Sequence, residues 1–126
     1  MPIITNGVHH IMVTVGAIDV AKEFYENIIG LEEIDCPVKD GIRIWYKLGA
    51  QELHVNYHEN YKAGLSHFAL SMDSDEYHEY YKKIKCTGYE KVSKSHKHVD
   101  GLYRFYVDDP YGNTIEITDG NISAKR

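Results

Sequence analysis

The sequence predicts an α+β domain of two tandem βαβββ modules, their strands forming a cupped, partly closed mixed sheet with the helices outside. Three observations predict it. Val8 to Val15, VHHIMVTV, is answered by Leu65 to Met72, LSHFALSM, so that His10 falls over His67. Each of these stretches is followed by a helical apolar stripe that ends at a glycine, Gly30 or Gly88. Each half then closes on an alternating strand with a polar residue at its centre, His54 in ELHVN and Glu116 in TIEIT. A repeat on this scale outranks any single motif in deciding a fold. At 126 residues the chain has the size of one domain, with module one at about 8–57 and module two at about 65–118.

The elements follow in order. Val8 to Val15 alternates, with His10, Met12 and Thr14 on one face and Ile11, Val13 and Val15 on the other, the pattern of a strand with one apolar side. His9 has the opposite parity to His10 and is expected to face the helices or a turn. Asp19 suits a helix N-cap, and Val20, Ala21, Phe24, Tyr25, Ile28 and Ile29 make the stripe that follows it. A short strand is expected over Leu31–Asp35, a loop over Cys36–Gly41 and a strand over Ile42–Leu48, which sets Arg43, Trp45 and Lys47 on one side. Gly49-Ala50 makes the turn into Glu52, His54 and Asn56, which alternate with Leu53, Val55 and Tyr57. Tyr57 to Gly64 is polar and reads as the linker.

Module two repeats the order. His67, Ala69 and Ser71 share a face, and Asp73 with Glu76 has capping-box spacing. Tyr77, Tyr80, Tyr81 and Ile84 form the helical stripe. Acidic residues at that helix's start and Lys82, Lys83 and Lys85 near its end suit the macrodipole. A strand from Tyr89 and a polar loop over Ser93–Gly101 lead to YRFYVDDPYGNTIEIT, which reads as strand, tight turn and strand. Its turn residues are Asp109-Pro110-Tyr111-Gly112-Asn113. The loop's Ser95-His96-Lys97-His98 reads as solvated, with a lid over the cavity as the sharper alternative.

If the apolar strand faces pack on the helices, the polar faces line a cavity with His10, Thr14, Trp45, His54, His67, Ser71, Tyr106 and Glu116. A carboxylate in mid-strand on an enclosed face needs a partner. Two imidazoles and a carboxylate with open positions are a known way to hold a catalytic divalent metal, so His10, His67 and Glu116 are the expected ligands. His54 is either a fourth ligand or a proton-transfer group beside the metal. Glu52 shares its strand face and is either a second acid–base candidate or a residue near the strand's exposed end.

Composition narrows the classes further. A net charge of −5 with no basic stripe argues against nucleic acid as a partner. No apolar run is long enough to span a membrane and no leader pattern is read. Cys36 and Cys86, the only two cysteines, have no metal-ligand spacing. They are expected to be reduced thiols of a cytoplasmic protein.

The repeat, the histidine opening each half, FYENIIG in the first helix and DDPYGNTIEI near the end resemble the vicinal oxygen chelate superfamily. That superfamily includes glyoxalase I, fosfomycin-resistance thiol transferases, extradiol dioxygenases, methylmalonyl-CoA epimerases and metal-free bleomycin-binding proteins. The resemblance runs from about Val8 to Thr118. It implies that His10, His67 and Glu116 occupy the family's metal-ligand positions, and that Trp45 and Tyr106 stand where aromatic side chains meet the substrate. His54 falls where glyoxalase I uses a glutamate, and Gly101–Tyr106 lacks the Ser-rich potassium pattern of the fosfomycin enzymes. The implied protein is a glyoxalase-like lyase or isomerase holding one divalent metal per site (Ni, Zn, Mn, Fe or Co) and acting on a small oxygen-chelating substrate. His54, Glu116 and Tyr106 would be its catalytic groups, with Thr14, Trp45, Ser71 and Tyr106 around the substrate. It is expected to be a homodimer with sites built across chains. Ring cleavage, thiol transfer to an antibiotic and non-catalytic antibiotic binding are the alternatives.

Overall fold

The computed structural model describes residues 2–61, 63–64 and 67–120. The chain divides into two compact units, Met1–Lys62 and Ala63–Arg126, one for each expected module. Module one contains β1 (His10–Val15), α1 (Ile18–Lys22) continuing into a π-helical segment (Glu23–Ile29), β2 (Glu33–Ile34), β3 (Arg43–Leu48) and β4 (Gln51–Tyr57). Module two contains β5 (His67–Ser71), α2 (Ser74–Cys86), β6 (His96–Lys97), β7 (Tyr103–Asp108) and β8 (Thr114–Thr118). Leu65, where the fifth strand was expected to start, lies outside the described residues.

The sequence repeat is a repeat of topology. The two four-stranded mixed sheets run β1-β4-β3-β2 and β5-β8-β7-β6. In each, the first and last strands pair in parallel and the other pairs are antiparallel. Alternation then sorts the side chains. Val13, Val15, Ile44, Tyr46, Leu53 and Val55 are buried in module one together with the helical Ala21, Phe24, Tyr25 and Ile29. In module two Phe105, Val107, Ile115 and Ile117 are buried with Tyr77 and Ile84 of α2. The Phe105 ring collects Tyr77, Tyr80 and Tyr81 at 5.6, 6.4 and 4.9 Å between centroids, and burial pushes the Tyr80 hydroxyl up to about 12.

The first helix departs from expectation in three ways. Ala17, extended at φ −158° and ψ 131°, is the N-cap rather than Asp19, and its carbonyl accepts from Ala21 N–H at 3.2 Å. Asp19 therefore sits inside the first turn, where its charge still suits the dipole. From Glu23 the turn widens to i→i+5 bonding. Ala21, Tyr25 and Ile29 then stack four apart, while Val20 is left 39% exposed, outside the stripe. Gly30 stops the helix in the left-handed region at φ 91°, where a side chain would be strained. The amides of Gly30 and Leu31 both return to the Tyr25 carbonyl, at 3.1 and 2.8 Å. Inside the core Tyr46 donates to Glu26 Oε2 at 2.8 Å. Burial first, and that hydrogen bond second, hold its hydroxyl far above the usual range.

The approach to β7 also differs. The strand expected from Tyr89 is reduced to a bridge between Val92 and Val107, and the segment expected to be a loop contains β6, antiparallel to β7. The segment still runs along β7 through single bonds: Asp108 N–H to the Lys91 carbonyl at 3.0 Å and Ser93 N–H to the Tyr106 carbonyl at 2.9 Å. His96 and Lys97 thus belong to an edge strand.

The turn between β7 and β8 is held by Asp109, which is wholly buried. Its carboxylate accepts from Tyr111 N–H, Asn113 N–H and Asn113 Nδ2, each at 2.8 Å. Gly112 at φ 86° supplies the left-handed step. This turn sets the register that places Glu116 beside Tyr106. Replacing a charged acceptor by a methyl group leaves those buried donors unmet. Asp109→Ala is expected to cost about 3 kcal/mol in urea unfolding; a loss below about 1 kcal/mol would mean the turn does not depend on this carboxylate.

Candidate metal and substrate site

The polar face of the first sheet carries His10, Met12 and Thr14 from β1, Arg43, Trp45 and Lys47 from β3, and Glu52, His54 and Asn56 from β4. Register puts Met12 and Trp45 on either side of His54. The His54 imidazole is 9% exposed because it lies between two rings, His10 at 4.1 Å and 17° and Trp45 at 4.0 Å and 3°. Its Nε2 stands 2.8 Å from Glu52 Oε1. Glu52 is thus the orienting carboxylate of a His–carboxylate pair. His9 was expected to turn away from His10, yet its Nδ1 is 2.9 Å from His10 Nδ1. β1 begins only at His10, so strand alternation does not govern His9.

Beside these residues lies a cavity of about 480 Å³ whose lining includes Met12, Thr14, Arg43, Asn56, Tyr57 and Tyr61. Arg43 Nε donates to Asp40 Oδ2 at 2.9 Å. With the Asn56 amide oxygen turned toward it, Arg43 Nη1 donates there at 3.2 Å. The guanidinium is held from two sides at the cavity wall.

In module two the central residue is Glu116, 6% exposed, with Ala69 and Tyr106 as its cross-strand neighbours. Its Oε1 is 3.2 Å from His67 Nε2 and its Oε2 is 3.6 Å from Arg104 Nη1. Tyr106 meets the His67 ring edge-on at 6.0 Å between centroids. Ser71, expected at the substrate, donates its hydroxyl to the Gly120 carbonyl and ties down the chain beyond β8.

Arg104 was not singled out in the sequence, although alternation with Tyr106 along β7 was enough to put it on this face. Its Nη2 is 2.5 Å from Asp100 Oδ2, and its Nε is buried with no hydrogen-bond partner among the described residues. Burial works against its charge, but the Asp100 hydrogen bond, with help from Glu116 and Tyr106, outweighs this and holds the guanidinium above its ordinary value.

Among the described residues no three His, Cys, Asp or Glu side chains form a cluster able to hold a metal ion. The candidate ligands come instead as pairs within modules, His10 with His54 and His67 with Glu116. The second pair fits a metal by its chemistry. A neutral imidazole lone pair and a carboxylate repel at 3.2 Å unless a proton or a cation lies between them. Bonds of about 2.1 Å to one first-row ion set neighbouring donors about 3 Å apart. The first pair fits less well as two ligands of one ion, because rings stacked face to face send their lone pairs along parallel planes.

A model of the Glyoxalase/Bleomycin resistance protein/Dioxygenase superfamily matches residues 7–117. A glyoxalase family protein from Bacillus anthracis is 30% identical, with a TM-score of 0.82 over 96% of this chain and 100% of its own. A lactoylglutathione lyase from Agrobacterium tumefaciens, 24% identical, shares the fold with a TM-score of 0.75 over 92% of this chain and 95% of its own. A genomically encoded fosfomycin resistance protein from Listeria monocytogenes, 22% identical, does so with a TM-score of 0.76 over 98% and 100%. No curated protein matches the sequence significantly. Among the described residues no helix is long and apolar enough to cross a membrane.

Proposed function

The chain belongs to the glyoxalase/bleomycin resistance protein/dioxygenase superfamily, and from that premise we propose that it is a divalent-metal-dependent, glyoxalase-like lyase or isomerase acting on a small oxygen-chelating substrate. Members of this superfamily commonly use such a metal. The observation that carries the proposal is the buried Glu116 carboxylate 3.2 Å from His67 Nε2. His67, Glu116 and His10 would hold the ion, which when bound supplies Lewis-acid stabilisation of substrate oxygens.

The chain's own residues supply the rest. His54 moves the proton. Its Nε2–H donates to Glu52 at 2.8 Å, which leaves Nδ1 as the base and lets the carboxylate steady the imidazolium that forms. Trp45 and His10 stacked on its two faces fix the ring and exclude water. The cavity lined by Thr14 and Arg43 receives the substrate body, and Tyr106, edge-on to His67, is a further substrate contact. Cytoplasmic location and a homodimer complete the proposal. The specific observation favouring a second reading, a non-catalytic small-molecule binder, is that Arg104 already serves as a cation for Glu116.

Untagged protein is expected to purify with close to one divalent metal per site, and His67→Ala to lose most of it while keeping its circular dichroism. Equal, weak metal content in both would exclude the metal site and leave the binder.

His54→Ala is expected to retain metal but lower turnover about 10²–10⁴-fold, the usual worth of a general acid–base group. Glu52→Gln should lower it less. If His54→Ala instead loses metal as fully as His10→Ala, His54 is a ligand.

We propose further that each site draws His10 and His54 from one chain and His67 and Glu116 from its partner, an arrangement in which pairing across a dimer also covers open sheet edges. His10→Ala and Glu116→Gln homodimers should each bind metal poorly. A co-refolded heterodimer should regain one tight site, because one of its two sites collects both lesions. Heterodimers confirmed by mass that recover no tight site would place all ligands within one chain.

A further inference from the structure

We propose that Arg104 is a built-in counter-cation of Glu116, one that occupies the carboxylate in the metal-free protein and sets the metal affinity below what the ligands alone would give. The inference rests on the metal site proposed above and concerns a residue that is not a ligand. Two cationic or potentially cationic groups face the buried carboxylate, His67 on Oε1 and Arg104 on Oε2. An imidazole can give up its proton to become a ligand. A guanidinium cannot, since it keeps its charge under all ordinary conditions.

A divalent ion arriving at Glu116 therefore meets a fixed positive charge on the same carboxylate. The Arg104 side chain is only 14% exposed and that of Glu116 8%, so the repulsion is screened less than at a surface. Asp100 acts on the other side of Arg104. Its carboxylate holds Nη2 at 2.5 Å, closer than the 3.6 Å between Nη1 and Glu116. It is 45% exposed and leashes the guanidinium, drawing it off Glu116.

The two neighbours should thus push affinity in opposite directions, Arg104 downward and Asp100 upward. A positioning role would predict otherwise. If Arg104 only oriented Glu116 for the metal, as outer partners of metal ligands often do, its loss would weaken binding.

The test is Zn²⁺ and Ni²⁺ affinity of the metal-stripped protein, read by competition with a chromophoric chelator. Arg104→Gln is expected to tighten binding about tenfold, a modest share of the Coulomb repulsion at an effective dielectric of roughly 20. Asp100→Asn is expected to weaken it about threefold, the smaller change fitting the greater screening of an exposed charge. That substitution removes the charge while keeping a side-chain oxygen to accept from Leu102 N–H, as the Asp100 carboxylate does at 3.0 Å. Metal-free Arg104→Gln should melt below wild type, and its melting temperature should rise more than wild type's when metal is added. Folded Arg104→Gln that binds metal equally or more weakly overturns the proposal. If that variant does not fold, Asp100→Asn decides, and unchanged or tighter binding by it overturns the proposal. Wild type that binds neither ion would instead remove the metal site itself, an outcome distinct from a wild type that binds while the variants fail to diverge.

Discussion

A carboxylate placed in the middle of a strand and removed from water must be matched by positive charge or by hydrogen bonds, or the strand will not form there. Glu116 imposes that demand on module two. Its backbone is fixed on both sides, by the parallel ladder to β5 and the antiparallel ladder to β7. The side chain therefore cannot escape to the surface by a local shift. A one-residue slip in either ladder would send it into the apolar layer of Phe105, Ile115 and Ile117 and bring isoleucines out. His67, Arg104 and the Asp109 turn can each be understood as keeping that carboxylate where it is.

Module one answers with a different solution on the same scaffold. At the equivalent place it has His54, an imidazole that carries no obligatory charge. It is held by stacking and by one carboxylate rather than by cations. One topology thus presents a carboxylate centre in one half and an aromatic imidazole centre in the other. Catalysis that needs both a charge sink and a base could arise by diverging two copies of a single unit.

Much of this was legible because period-2 alternation is a strong constraint. The polar faces of β1, β4, β5 and β8 carry the residues the alternation assigned to them, and Gly30 ends its helix as a left-handed cap. What escaped depended on geometry that no spacing encodes. The helix widens from Glu23, and Val20, at the edge of the stripe before that point, is left exposed. Ala17 displaced Asp19 as the cap because capping follows backbone direction, and an extended residue with its carbonyl aimed along the axis suffices. His9 lies before the strand, so parity said nothing about its ring. Arg104 has the correct parity, but an arginine on a strand is usually a solvated residue and only its contacts with Asp100 and Glu116 distinguish it. The short strand β6 was hidden inside a polar segment whose composition favours a loop.

The parallel ladders also govern when each sheet can be completed. β1 finds its partner in β4 and β5 finds its partner in β8, the first and last strands of each module. Such non-local pairing incurs its loop-closure entropy before any contact offsets it. On a ribosome that reads from the amino end, the strand bearing His54 and the strand bearing Glu116 are each the last of their module to emerge. These two central polar residues are thus laid into sheets whose helix and hairpin partners have already left the tunnel. Nascent chains of either module would expose an unpaired inner edge until that moment, which makes the end of each module's synthesis its most aggregation-prone interval.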